Sequence, residues 1–332
     1  MFSYFSSLNP AALLNACPGG IAQGLIWGIM ALGVYLTFRV LDLADLTVDG
    51  SLSTGGAVCI MLVLAGVNPE LALIIAFFAG LAAGLVTGFL HVNLGIPPIL
   101  AGILTQISLY SINLNIMGKA NQSVNVNQVQ FHFTSNASRL GVTIALTALV
   151  CLLLISALYW YLGTEQGSAI RATGTNPSMS RAQGINTDQM KIIGLALSNG
   201  LVALAGAILS QYQGFADVNM GRGAIVIGLA AVIIGEVLCQ TFVGARSNFL
   251  IRLLFVVLGG VAYYLVYVFV LWLRFPPDDM KLLTAVVVAI FLAVPYIQKK
   301  RNSSFGKAAR SSQEAIDSYR QAVADAENQE VQ

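Results

Sequence analysis

The chain has 332 residues, 57% of them hydrophobic and only 10% charged, with a net charge of +2 and a mean hydropathy of +0.77. Soluble domains carry about 25% charged residues, so these values exclude a water-soluble enzyme and describe a polytopic membrane protein. The near-neutral charge offers no electrostatic footprint for nucleic acid.

Four cysteines, Cys17, Cys59, Cys151 and Cys239, stand singly in apolar surroundings. They read as buried small hydrophobes, not as disulfides or metal ligands. His91 and His132 are equally isolated, and no second ligand stands at metal spacing.

A membrane span needs about 20 apolar residues. Nine segments qualify: Leu13–Phe38, Ser51–Val67, Leu71–Leu90, Pro98–Met117, Leu140–Leu162, Ile192–Gln213, Ala224–Thr241, Arg252–Leu273 and Leu282–Gln298. The expected fold is an all-α integral membrane bundle of about 8–10 spans, with a transmembrane permease domain over residues 1–298 and a cytoplasmic tail over 299–332. Eleven of the 32 charged residues crowd into Lys299–Gln332, which marks that boundary.

Between the first two spans lies "LDLADLTVDGS", with Asp42, Asp45 and Asp49 and no basic residue among them. As one continuous helix the three acids would share a face and repel. Gly50 relaxes the backbone there, and Asp49 is placed to cap a helix starting at Ser51. The second helix is therefore expected to be discontinuous, with Asp42 at the inner surface beside Arg39. Asp45, Thr47, Asp49 and Ser51 become candidates for the substrate path.

Gly20, Gly24 and Gly28 in the first span, and Gly80, Gly84 and Gly88 in the third, recur at spacing four. Small residues so placed let helix backbones approach closely in lipid, where no hydrophobic force drives association. In the fourth span Gln106, Tyr110, Asn113 and Met117 share one helical face, while Ser108, Ser111 and Asn115 follow another. Polar groups in hydrocarbon need partners or water. They either bond to neighbouring helices or face an aqueous path, and Ser198 and Asn199 of the sixth span pose the same choice. Gln106, Tyr110 and Asn113 join the path candidates. Gly118–Arg139 reads as a solvated outer loop.

The polar segment 164–191 joins the fifth and sixth spans. Asn176 is an N-cap with Pro177 at the first helical position, and Gly184 can end the helix. Asn186 or Thr187 then caps the next helix, with Asp188 at its positive end. This short capped helix is the candidate docking element: Asn176, Pro177, Ser178, Arg181, Gly184 and Asn186.

"FADVNMGRG" at Phe215–Gly223 partly echoes "LADLTVDGS" at Leu43–Ser51. Each copy follows one long span and precedes another, and the copies start at opposite membrane faces. That is the pattern of an inverted repeat, and it sets Asp217 opposite Asp45. Glu236 near the inner end of the seventh span reads as a structural partner of Arg246 or Arg252. With the C-terminus inside, 12 of the 17 basic residues fall on the cytoplasmic side, in keeping with the positive-inside rule. In the tail, Ile316, Tyr319 and Val323 make a thin apolar stripe over Gln313–Ala324, a short surface helix or a disordered extension.

The short cytoplasmic helix, then "GIN" with Arg181 and Lys191 about it, then a span rich in Gly, Ala and Leu, resembles the permeases of ATP-binding-cassette importers for branched-chain amino acids and ribose. "DLTVDGS" with "LYSINLNIMGKAN" (Leu109–Asn121) looks most like the subgroup tied to tryptophan- or tyrosine-type amino-acid uptake. The resemblance runs from about Gly19 to Val294. It implies a bacterial plasma-membrane permease paired with a second, identical permease subunit. It also implies a cytoplasmic ATPase docking at 176–186 and an extracytoplasmic binding protein above. No cofactor is implied for this chain, because ATP is used by the partner, and the sequence holds no G-x-x-x-x-G-K-[ST] loop. An ion-coupled secondary transporter working through Asp45 or Asp49 is the rival reading.

Overall fold

The computed structural model describes residues 10–124, 139–244 and 248–272, with the isolated positions 133, 282, 286, 289 and 293. Its compact unit is 1–284, and 285–332 form a second unit, in which only Val286, Ala289 and Ala293 are described. The ninth predicted span, the tail stripe, His132 and most of the outer loop lie outside the described residues.

Eight helices among those residues are long and apolar enough to cross a membrane. α1 is Pro10–Tyr35, continued by a single π turn, Leu36–Val40. α2 is Thr47–Leu64, α3 Pro69–Val92, α4 Pro98–Met117 and α5 Leu140–Gly163. Two short helices follow, α6 (Glu165–Thr175) and α7 (Pro177–Ala182). Then come α8 (Thr187–Gln213), α9 (Ala224–Phe242) and α10 (Phe249–Trp272). Strands β1 (Asn121–Ser123) and β2 (Phe215–Asp217) pair antiparallel, Asn121 opposite Asp217. Both are too short to leave a period in the sequence.

α8 is the hub. Its lining is small (Gly194, Ala196, Ser198, Gly200, Ala203, Gly206), and most of its length is buried. α3, α4 and α5 turn large apolar side chains outward, among them Phe78, Leu100, Leu153 and Trp160, as lipid-facing helices do.

Both predicted glycine stripes are packing seams. A Cβ on Gly24 would lie 2.6 Å from Val261 Cα, and Gly20 and Gly28 face Val268 and Val257. On α3, Gly84 would meet Ala196 Cα at 2.6 Å, with Gly80 against Asn199 and Gly88 against Ile192. In each seam rising numbers on one helix meet falling numbers on the other, so α1 runs antiparallel to α10, and α3 to α8. α2 runs parallel to α8, since Ser51 meets Asn199 while Cys59 meets Gln211. The alternation of up and down spans is thus written into the contacts.

The break between α1 and α2 differs in detail from its expected form. α2 starts at Thr47, not Ser51, because Asp45 supplies the first acceptor: Thr47 N–H donates to Asp45 Oδ1 at 2.9 Å. The chain turns at Asp42, the one non-glycine residue with positive φ (56°) among those described.

The echo at Phe215–Gly223 begins in the same way. Asn219 N–H donates to Asp217 Oδ1 at 2.6 Å, the same i to i+2 bond. Asp217 lies past the ends of α4 and α8, where Asn121 Nδ2 reaches its Oδ2 at 3.3 Å. Helices α8 and α9 around this copy run opposite to α1 and α2 around the first.

Candidate functional site

The predicted path residues divide into two groups. Asp45, Thr47 and Ser51 are at most 2% exposed and belong to a closed polar network. Asn199 Nδ2 donates to Asp45 Oδ2 at 2.7 Å, and Ser51 Oγ donates to Asn199 Oδ1 at 2.6 Å. Thr47 Oγ1 meets Thr87 Oγ1 at 2.8 Å, and Thr87 Oγ1 donates to Thr105 Oγ1 at 3.0 Å. Four helices, α2, α3, α4 and α8, are tied together there, and each polar group has a partner, as a low-dielectric interior requires. Burial pushes the Asp45 carboxyl above the usual carboxylate range, and the hydrogen bonds from Thr47 and Asn199 oppose it. Ser198 Oγ likewise donates to Gly33 O at 2.7 Å. In the sixth predicted span, then, the polar groups join helices.

Asp49, Gln106, Tyr110 and Asn113 belong to the other group. They line one half-open cleft of about 270 Å³, together with Gly50, Ser53, Ile107, Val218 and Arg222. Met117, placed on the same face by periodicity, packs instead into an apolar cluster with Ala57, Ile60 and Ala216. Asp49 is a cap, but for a helix far along the chain. Gly223 N–H donates to its Oδ2 and Ile225 N–H to its Oδ1, each at 2.9 Å. α9 begins with Gly223 at φ +85°, which brings no capping side chain of its own. Asp49 supplies both the acceptors and the negative charge that a helix start favours. Ser53 Oγ also accepts from Gly221 N–H at 3.0 Å. The second repeat copy is thus bolted along the first.

Two features of the cleft escaped the sequence. Asn113 is fully buried, and neither its Nδ2 nor its Oδ1 has a partner. An unpaired buried polar group costs about 1–3 kcal/mol, so its amide keeps an unused donor and acceptor at the cleft. Arg222, which no sequence pattern singled out, contributes to the cleft lining and forms no ion pair among the described residues.

At the other end of the molecule the capping pattern holds residue by residue. Met179 N–H donates to Asn176 Oδ1 at 3.0 Å, and Gln189 N–H to Asn186 Oδ1 at 3.2 Å. Pro177 opens α7, and Gly184 takes φ +81°. Ser178 lies in α7 and is exposed, as is Met179, at 63%. Arg181 is tied down: its Nε donates to Thr187 Oγ1 at 2.7 Å and its Nη2 to Asp188 Oδ1 at 3.0 Å. α6, which the sequence reading treated as loop, starts at Thr164, whose Oγ1 accepts from Gly167 N–H. Gly174 of α6 abuts the π turn so closely that a Cβ would overlap the Val40 carbonyl oxygen.

Glu236 is a structural partner as expected, but of Arg39 at 2.6 Å, joining the π turn to α9. The anticipated Arg246 lies outside the described residues.

Eight helices able to cross a membrane, a cleft with polar side chains in its lining and a capped helix-turn at one end make up the bundle. Residues 18–295 match the family described as branched-chain amino acid transport system, permease component, and the chain belongs to that family. It is 38% identical over 274 residues to the tyrosine transport system permease protein of Clostridioides difficile, covering 82% of this chain and 89% of that one. It is 27% identical over 245 residues to the ribose import permease protein RbsC of Escherichia coli, covering 71% and 74%. A chain of PsaBC from Streptococcus pneumoniae, solved with Fab, aligns at 15% identity and TM-score 0.49 over 88% of this chain and 95% of that one. The protein is a multi-pass permease of the bacterial plasma membrane, in a family that serves amino acids and sugars.

Proposed function

We propose that this chain is the transmembrane subunit of an ATP-driven importer that passes an amino acid from an extracytoplasmic binding protein into the cytoplasm. Two copies pair, and a separate cytoplasmic ATPase supplies the energy. The observation that carries the amino-acid reading is the 38% identity, over most of both chains, to a permease named for tyrosine transport. α7 and its flanks, Asn176 to Asn186, are the ATPase contact. The helix is held rigid by caps at both ends and by the Arg181 bonds, and it presents exposed Ser178 and Met179.

Reconstitution with its ATPase and binding protein in liposomes tests this. Amino-acid uptake should require ATP and all three components. Deleting Pro177–Gly184 should abolish co-purification of the ATPase while the permease still folds, and an ATPase that co-purifies at normal yield would refute the contact. Uptake by the lone chain, driven by an ion gradient without ATP, would favour the secondary-transporter reading instead. That reading leans on Asp45 and Asp49, and Asp45 is 2% exposed, enclosed with Thr47 and Asn199 in the network that joins the helices.

A further inference from the structure

The cleft between α2, α4 and the segment before α9 has a charge layout that hydrogen bonding within the protein does not exhaust. One wall carries Asp49, whose two oxygens each accept one backbone N–H from the start of α9. A carboxylate oxygen has two lone-pair sites, so each retains acceptor capacity, and the half-charge of a helix start offsets only part of the negative charge. Arg222, an exposed residue, also lines the cleft and has no ion pair among the described residues. The same lining includes Asn113, fully buried, with donor and acceptor both unused. Tyr110 and Ile107 add an aromatic and an aliphatic surface.

We infer that this cleft seats the zwitterionic head of a free amino acid, its carboxylate on Arg222 and its ammonium between Asp49 and Asn113. The guanidinium fork matches a carboxylate in geometry and charge. An ammonium needs acceptors, which Asp49 and the Asn113 Oδ1 supply, while Asn113 Nδ2 can donate to the carboxylate. The side chain of the amino acid then lies over Tyr110 and Ile107. A cleft of about 270 Å³ is near the lower limit of pockets for drug-sized ligands and suits one small metabolite. A neutral sugar would leave Arg222 and Asp49 unmatched, so the permease itself sorts cargo. This rests on the amino-acid reading above and adds to it the site of recognition.

The test uses the full chain in nanodiscs with Cys17→Ala and Ile107→Cys, read by the rate of labelling with a methanethiosulfonate reagent. L-tyrosine should slow the labelling, whereas tyramine, which lacks the carboxylate, N-acetyl-L-tyrosine, which lacks the ammonium, and ribose should not. Adding Arg222→Gln should raise the half-protecting tyrosine concentration about tenfold or more, the loss of one charge-assisted hydrogen bond. Arg222→Lys should recover part of it. Equal protection by all four compounds, protection by none, or a cysteine that never reacts would overturn the site, leaving a cleft that holds water or lipid. If Arg222→Gln fails to insert, discrimination among the four compounds in the parent decides. Amino-acid uptake by the complete transporter without any protection would refute the site alone. ATP-driven uptake of a sugar in place of an amino acid would refute the site and the cargo together.

Discussion

The two copies of the repeat start alike and then part. At Asp45 and at Asp217 the carboxylate accepts the N–H two residues on. After Asp45 the chain enters α2 at once; after Asp217 it runs extended and turned for six residues before α9. Glycines decide this. Gly221 and Gly223 replace Asp49 and Ser51 of the first copy. Gly221 lets the backbone lie against the Asp49 carbonyl, where any Cβ would overlap it. The first copy therefore becomes a buried knot of satisfied hydrogen bonds, the second a wall of the polar cleft. One sequence pattern yields framework when its polar groups are paired inward, and a candidate binding surface when one cation and one amide are left over.

The contrast can be broken first at Asp45. Asp45→Ala leaves the Thr47 N–H and one of the two Asn199 amide N–H groups without an acceptor in the interior, the other still reaching Leu195 O, at about 1–3 kcal/mol each. It should therefore lower the thermal midpoint of the purified protein by the largest amount in this series. Gly221→Leu comes next. It forces the second copy off the first and should cost about 1–3 kcal/mol, as overpacking does; a midpoint unchanged from wild type would show that the two copies do not depend on that contact.

Asp49→Ala removes the cap of α9 and should cost about 1 kcal/mol. Asp49→Asn should fall between it and wild type, because one amide oxygen replaces two carboxylate oxygens. Equal midpoints for Asn and Asp, together with lost uptake, would shift the role of Asp49 from capping to cargo. Asp217→Ala removes a half-buried carboxylate whose two donors, Asn219 N–H and Asn121 Nδ2, belong to exposed residues that water can satisfy, and it should change the midpoint least, by under about 1 kcal/mol. A drop as large as that of Asp45→Ala would erase the distinction between the copies.

What could be foreseen followed the range of the interaction. Spans came out within a few residues because apolar runs of this length have few other fates. Asn176, Gly184 and Asn186 were legible because caps act three residues away. The glycine seams were legible as seams, though not their partners. Asp49 was recognised as a cap and assigned to the wrong helix, since its donors stand 174 and 176 residues later. Glu236 found Arg39 at a separation of 197, and no local pattern names such a partner. Arg222 and the unpaired amide of Asn113 show themselves only when α4 and the segment before α9 share one cleft.

The seat of α6 against the π turn has a mechanical meaning. Where Gly174 meets Val40 there is backbone on backbone, with no side chain between to change rotamer and absorb a shift. α7 follows α6 after one residue, and α1 ends in the turn that α6 presses. A displacement of α6 would therefore bear directly on the end of α1, backbone against backbone. The single π turn, Leu36–Val40, stands at that junction.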